Sequence, residues 1–303
     1  MPDIFEIIKT VILGIVEGIT EWLPISSTGH MILVDEFMKL DVRKDFMNIF
    51  LVVIQLGAIL AVVILFWSKL WPFHLKKTAV KPFFKEEGKA VALKKACNNY
   101  VHVDKILLWV KILIASVPAA IIGLAFDDQI DAMLTGDTDM DMRAFVVAGA
   151  LIVYGVLFIV IERLKKREKI TDLNKMPYRT ALYIGLIQCL SLVPGTSRSG
   201  STILGASLLG TSRTVAAEFS FFLGIPAMFG ASAIKLLKFF SDGLSFTTDE
   251  IIILLVGCVV SFVVSILAIK FLVSYIKKHD FKVFGVYRII LGILVILYFA
   301  VAN

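Results

Sequence analysis

The stretch EGITEWLPISSTGH, residues 17–30, interrupts the first apolar segment of this chain with polar and helix-breaking residues. It carries two carboxylates, two serines, a threonine and a histidine inside the apolar stretch 4–40, where a continuous membrane helix would be almost wholly apolar. Irregular backbone at membrane depth is tolerated only where it is buried in protein or lines a wet cavity. The stretch therefore predicts two half-helices in a re-entrant hairpin, or a broken helix, rather than a complete span.

The chain around this stretch has the composition of a helical membrane protein. It has 303 residues, of which 58% are hydrophobic, and soluble domains have roughly half. The excess lies in non-alternating runs of about 20 residues, which is the length of a membrane helix and not the pattern of a barrel. Six runs are predicted to span: about 48–67, 106–126, 143–161, 215–240, 249–274 and 283–301. The first residues lack a basic segment, so no removable signal peptide is expected.

A second break follows the same pattern in the apolar stretch 180–210. Its core is PGTSRSGST, residues 194–202, with an apolar half-helix on each side and the second half-helix beginning near Arg198. We expect this segment to form a second re-entrant hairpin. It differs from the first in its charge: the second break carries an arginine, whereas the first carries two carboxylates.

Charged loops orient the chain by the positive-inside rule. The basic loops 68–105, 162–179 and 277–282 are predicted to be cytoplasmic, and the acidic loops 127–142 and 241–250 external. The net charge of +6 is explained by these loops, so no nucleic-acid partner is expected. On this assignment the first hairpin enters from outside and the second from the cytoplasm.

Opposite entry of two similar units is the arrangement of an inverted repeat. Gly14–Glu17 also resembles Gly185–Gln188 ahead of the second break. We predict an all-α polytopic membrane protein with six transmembrane helices plus two re-entrant helical hairpins in an inverted repeat. It is a single domain, 1–303, with a first repeat at about 1–126 (including loop 68–105), a second at about 180–301, and span 143–161 between them.

Glu17 and Glu21 lie four residues apart, on one helix face. Carboxylates at membrane depth are costly and face a cavity or a partner. Paired carboxylates suit a divalent cation such as Mg²⁺ or Ca²⁺, and one of them could instead act as a general base. The simpler alternative is a solvated pair near the outer surface.

The hydroxyls of Ser26, Ser27 and Thr28, with the backbone N–H groups at the start of a half-helix, favour an anion. Plain helix capping is the alternative. His30 follows Ser27 by three residues, which makes it a candidate proton carrier or phosphate donor, although a lone histidine in an apolar run is more often a core residue.

Arg198 is the strongest anion signal, because the planar guanidinium donates two hydrogen bonds to a phosphate at once. The alternative is an arginine that only extends its charged group to the membrane interface. The glycines and hydroxyls that surround Arg198 in the second break make that alternative less fitting. The two breaks are complementary, and their tips can meet near the midplane. Together they predict a site for a diphosphate bridged by a metal, on a substrate whose remainder is lipid.

Both motifs resemble those of the undecaprenyl-diphosphatase family of the bacitracin-resistance type, as do QLGAILAVV (55–63), EFSFFLGIPAMFGA (218–231) and YRIILG (287–292). The resemblance covers nearly the whole chain. It implies metal-dependent conversion of undecaprenyl diphosphate to the monophosphate in the bacterial cytoplasmic membrane, at a site reached from the outer side. By motif position, the implied catalytic or metal-linked residues are Glu17, Glu21, Ser27, His30 and Arg198, and the implied substrate-binding residues are Ser26, Thr28, Ser197, Arg198, Ser199 and Thr202.

The roles of these residues leave alternatives open. Ser27 is expected to attack the terminal phosphorus while Glu21 or His30 takes its proton, but direct attack by water is the alternative. A polyprenyl-phosphate carrier is the rival function, since inverted repeats are typical of carriers, and an ion channel or ion-coupled exporter using the glutamates is a weaker one. The expected partners are the substrate lipid and membrane lipids, and a homodimer is compatible with the sequence.

Overall fold

The structure is a computed structural model that describes residues 2–73, 101–126, 140–164 and 168–301. Within these ranges it contains eleven α-helices. They are α1 (Ile4–Thr20), α2 (Ser27–Phe37), α3 (Lys44–Leu65), α4 (Trp67–Leu70), α5 (Val103–Ala125), α6 (Met140–Leu164), α7 (Tyr178–Gln188), α8 (Arg198–Leu208), α9 (Arg213–Ser241), α10 (Thr248–Ile276) and α11 (Lys282–Val301). Short 3₁₀ turns lie at Leu173–Lys175 and Cys189–Leu192.

Six of these helices are long and apolar enough to cross a membrane: α3, α5, α6, α9, α10 and α11. They coincide with the six runs predicted from the sequence, and many of their large apolar side chains are exposed, as expected for surfaces that face lipid. The chain is therefore a multi-pass, all-α membrane protein. Three of the five charged loops on which the orientation was based lie partly outside the described residues (at 74–100, 127–139 and 165–167), so the orientation stays a prediction.

Both interrupted stretches form a helix, a break and a second helix, as predicted. In the first, α1 ends at Thr20 and α2 begins at Ser27; in the second, α7 and a 3₁₀ turn end at Leu192 and α8 begins at Arg198. Pro24 and Pro194 lie in the breaks, where the missing N–H of proline removes a donor that a continuous helix would use. Whether the hairpins are re-entrant in the bilayer stays a prediction.

In each half of the chain, the helix before the break packs on a helix of the other half. Helix α1 packs on α10, whereas α7, its counterpart in the other half, packs on α5. Gly14 and Gly185 make these contacts possible, because a Cβ at Gly14 would lie 3.0 Å from the Gly257 carbonyl oxygen and one at Gly185 would collide with the Ala115 carbonyl. This pairing accords with the inverted repeat, whose presence and boundaries remain predictions.

Helix α9 lies at the centre of the bundle. It packs against α3, α5 and α8, and its residues from Val215 to Ile225 are all buried. Phe219, Phe221 and Phe222 belong to the largest apolar core cluster, together with Trp22 of the first break. This core packs against the first break through Trp22 and against α8, which follows the second break.

Candidate functional site

The two breaks share an unusual backbone conformation. Ser26 has φ 75° and Ser197 has φ 72°, and they are the two non-glycine residues with positive φ in the described ranges. Each serine then caps the helix that follows, because its hydroxyl accepts a hydrogen bond from a glycine N–H three residues later: Gly29 at 3.3 Å and Gly200 at 3.2 Å. Such conformations cost about 1–3 kcal/mol and concentrate at functional sites.

The residue after each strained serine reaches one carboxylate, that of Glu21. The Ser27 hydroxyl donates to Glu21 Oε2 at 3.0 Å, and Arg198 Nη2 donates to Glu21 Oε1 at 2.8 Å. Ser27 belongs to the first break and Arg198 to the second. Glu21 therefore joins the two breaks, which the sequence predicted would meet.

The Arg198 guanidinium has two further contacts and a space that a glycine leaves for it. Its Nη1 donates to the Ser220 carbonyl of α9 at 2.7 Å, and its Cζ lies 5.8 Å from the centroid of the Trp22 ring. Gly224 leaves room for it, because a Cβ there would lie 2.8–2.9 Å from the guanidinium atoms. These contacts fix the direction of the cation, which suits a preorganised anion clamp.

Glu17 lies one helical turn before Glu21 and is buried, with 2% exposure. Its Oε1 has no hydrogen-bond partner in the structure, and a buried polar atom without a partner is rare. An unpaired, buried carboxylate oxygen beside a second carboxylate fits a divalent cation. Among the described residues no three His, Cys, Asp or Glu side chains come together, and Mg²⁺ commonly takes only one or two carboxylates together with substrate phosphates and water.

His30 is not hydrogen-bonded to Ser27. Its Nδ1 lies 2.7 Å from the Ser26 carbonyl oxygen, and its Nε2 lies 2.7 Å from the Tyr287 hydroxyl. A carbonyl can only accept, so we assign the proton to Nδ1, and Nε2 then accepts from Tyr287. The structure thus places Glu21, rather than His30, in contact with the Ser27 hydroxyl, and the catalytic role of His30 stays a prediction.

The remaining hydroxyls divide between capping and the site. Ser26 is fully buried and caps α2, and Ser197 caps α8 while also lying 3.1 Å from the Ser199 hydroxyl. Thr202 donates to the Arg198 carbonyl one turn earlier at 2.8 Å, and Thr28 is half-buried at the start of α2. Capping, the alternative that the sequence left open for the first break, is therefore observed at Ser26, and Ser197 caps α8 in the same way. The substrate contacts predicted for the whole set stay predictions.

The sequence of this chain matches the profile of the bacitracin resistance protein BacA family over residues 10–294. The chain belongs to this family. It is 55% identical to undecaprenyl-diphosphatase 1 of Clostridioides difficile (strain 630) over 297 residues, which cover 98% of this chain and 97% of the relative. It is 56% identical to an undecaprenyl-diphosphatase of Enterococcus faecalis (strain ATCC 700802 / V583), over 96% of each chain. The relative in Acetivibrio thermocellus is also an undecaprenyl-diphosphatase, 52% identical over 97% of this chain and 98% of its own length. The predicted family is confirmed.

Sequence reasoning missed three side chains that contact the breaks. Arg288 was assigned no functional role from the sequence, but it hydrogen-bonds to backbone carbonyls of both breaks. Tyr287 bonds to His30, and Tyr154 accepts from Ser201 at 3.1 Å while its ring lies 5.3 Å from the Arg288 guanidinium. An arginine inside an apolar span was the available signal, since such residues usually mark functional sites.

Proposed function

We propose that this protein is an integral-membrane diphosphatase that hydrolyses undecaprenyl diphosphate to undecaprenyl phosphate and inorganic phosphate. Its place is the bacterial cytoplasmic membrane, with the site open to the outer side. There it recycles the lipid carrier of peptidoglycan synthesis and confers resistance to bacitracin. The observation that carries the proposal is the Glu21 carboxylate, which contacts a serine of one break and an arginine of the other.

The contact between Ser27 and Glu21 supports nucleophilic catalysis by the serine. In the proposed first step the Ser27 oxygen bonds to the terminal phosphorus, Glu21 takes the hydroxyl proton, and the bond from that phosphorus to the bridging oxygen breaks. Undecaprenyl phosphate leaves. In the second step water attacks the phosphoserine, which releases inorganic phosphate and restores the Ser27 hydroxyl. Direct attack by water, with Ser27 binding phosphate, is the alternative mechanism.

Arg198 supplies positive charge at the transferred phosphoryl group. Phosphoryl transfer depends mainly on positioning and on neutralising charge on the phosphate oxygens. Arg198 is aimed by the Ser220 carbonyl and by Trp22, so little reorganisation is needed when charge develops.

Glu17 and Glu21 are the residues proposed to hold a divalent cation, Mg²⁺ or Ca²⁺. The unpaired buried oxygen of Glu17 is the observation that supports this assignment. When bound, such a cation would neutralise the negative charge of the diphosphate. Glu21 would then have two tasks: it would bind the cation, and it also contacts Ser27 and Arg198.

The competing function is that of a polyprenyl-phosphate carrier. The exchange of helix partners between the two halves favours it, because inverted repeats with broken helices recur in carriers. A carrier must release its substrate on both faces of the membrane and needs no nucleophile, whereas a phosphatase needs only one opening.

The deciding experiment measures phosphate release from a polyprenyl diphosphate in detergent, with and without EDTA. The variants are Glu21→Gln and Arg198→Ala. The control is Glu250→Gln. It makes the same change at a buried carboxylate outside the site, which pairs with Arg43. We expect metal-dependent release that both site variants abolish and the control retains. No release by folded wild-type protein with Mg²⁺ or Ca²⁺ present would overturn the proposal, and lipid translocation in liposomes would then test the carrier.

A further inference from the structure

Arg288 of α11 is a buried cation in a membrane-spanning helix. It is fully shielded from solvent, with 0% exposure. Its hydrogen-bond partners in the structure are three backbone carbonyls, with no carboxylate among them. A charged group in this setting is costly, so its contacts indicate what it is retained for.

The three carbonyls belong to the two breaks. Arg288 Nη1 donates to the Pro24 oxygen at 3.2 Å, and Nη2 donates to the Gly195 oxygen at 2.9 Å and to the Thr196 oxygen at 3.0 Å. Pro24 lies two residues before Ser26, and Thr196 lies directly before Ser197. One guanidinium thus holds the backbone leading into both positive-φ serines.

The Arg288 guanidinium also contacts an aromatic ring. The Tyr154 ring of α6 lies 5.3 Å from its Cζ, within the range of a cation–π contact. The Tyr154 hydroxyl accepts from Ser201 of α8, so the same aromatic residue contacts the second break. A planar fork with several fixed donors can bridge two backbone segments in a way that the single ammonium of lysine cannot.

We infer that Arg288 is a positioning residue that locks the two breaks together and so sets the geometry of Ser27, Glu21 and Arg198. None of the reacting groups proposed above is among its hydrogen-bond partners. It acts through the backbone that presents Ser27 on one side and Arg198 on the other. The catalytic part of this inference rests on the proposed diphosphatase function, whereas the structural part does not.

The test uses the full-length protein in detergent with Arg288→Met and Arg288→Lys. The matched control is Arg43→Met, since Arg43 also donates to a distant segment, at Glu250 and at the Ser245 carbonyl, but contacts neither break. Hydrogen exchange followed by mass spectrometry reports on peptides that cover residues 21–30 and 194–202. Phosphate release gives kcat and KM separately.

We expect Arg288→Met to speed exchange at both breaks by about tenfold or more, because the caps there lose their support. Residues 245–250 should not change in Arg288→Met, and they alone should change in Arg43→Met. We expect kcat to fall by about 100-fold with KM within about threefold, since small misplacements of reacting groups have effects of that size. Arg288→Lys should lie between wild type and Arg288→Met in both measurements.

The inference is overturned if exchange in folded Arg288→Met is unchanged, rises at one break only, or rises evenly throughout the protein. It is also overturned if kcat stays within twofold of wild type. If Arg288→Met does not fold, Arg288→Lys decides by the same criteria. If the wild-type protein releases no phosphate, the diphosphatase proposal fails alone, and the exchange data still decide whether Arg288 locks the breaks.

Discussion

The first and second breaks of the chain have nearly the same backbone and opposite chemistry. Each has a serine at positive φ, and the hydroxyl of that serine caps the following helix through a glycine three residues on. The next residue is Ser27 in one break and Arg198 in the other, and both reach Glu21. The comparison teaches that one backbone conformation can present either a hydroxyl or a guanidinium to the same carboxylate, and that the side chain at a single position decides which.

The largest expected effect tests whether the first break holds the nucleophile. Ser27→Ala should lower kcat by about 1,000-fold or more, because the attacking oxygen is removed, while binding of a polyprenyl diphosphate is retained. Ser27→Thr should be nearly as inactive, since its extra methyl group disturbs the attack geometry. The measurements are phosphate release and lipid binding by the purified variants. Sizeable turnover by Ser27→Ala would assign the attack to water.

The second break is tested by Arg198→Lys, which keeps the charge but loses the fork that bridges Glu21 and the Ser220 carbonyl. We expect kcat to fall by about 100-fold, the scale reported when one preorganised donor to the transition state is lost. Lys69→Arg is the control, since it also exchanges lysine and arginine, at the ion pair with Glu218. Near-normal kcat in Arg198→Lys would mean that charge alone suffices in this break.

The two carboxylates of the first break should differ in metal dependence. Glu17→Gln removes charge from the residue with the unpaired oxygen. It should raise the Mg²⁺ or Ca²⁺ concentration for half-maximal activity by about 10–100-fold, and saturating metal should restore part of the activity. Metal titration of phosphate release measures this. An unchanged titration curve would remove Glu17 from the proposed cation site.

The smallest effects test whether the two backbones are equivalent. Ser26→Gly and Ser197→Gly each lose a side-chain cap but relieve positive φ, so the free energy of unfolding should change by no more than about 1 kcal/mol. Ser26→Ala and Ser197→Ala keep the strain and lose the cap, so they should be less stable than the glycine variants by about 1 kcal/mol. Unfolding of all four in mixed micelles gives the comparison. A large difference between the two sites would end the equivalence.

Local sequence predicted the parts of this fold that local physics determines. The six spans follow from apolar runs long enough to cross a bilayer, and both breaks follow from proline, glycine and hydroxyl residues inside such runs. The meeting of the two breaks was predicted from their complementary chemistry. The direct contact between Glu21 and Arg198 was not, because no spacing in the chain relates residues 177 positions apart.

The contacts that were not predicted depend on partners far away in the chain. Spacing alone paired His30 with Ser27, yet the ring turns to the Ser26 carbonyl and to Tyr287 on α11, 257 residues away. Arg288 was assigned no functional role for the same reason. Neither periodicity nor motif spacing reveals which backbone carbonyls a buried arginine will hydrogen-bond to in the folded bundle.

Glu21 gives the site an anion of its own. Its carboxylate already occupies the Arg198 guanidinium, with both side chains largely shielded from water. A phosphate that reaches Arg198 must therefore compete with this built-in ligand, and its affinity is the difference between two ion pairs rather than the full strength of one. In the proposed reaction the same competition would work against retention of inorganic phosphate, so the glutamate would favour release of the product as well as activation of the serine.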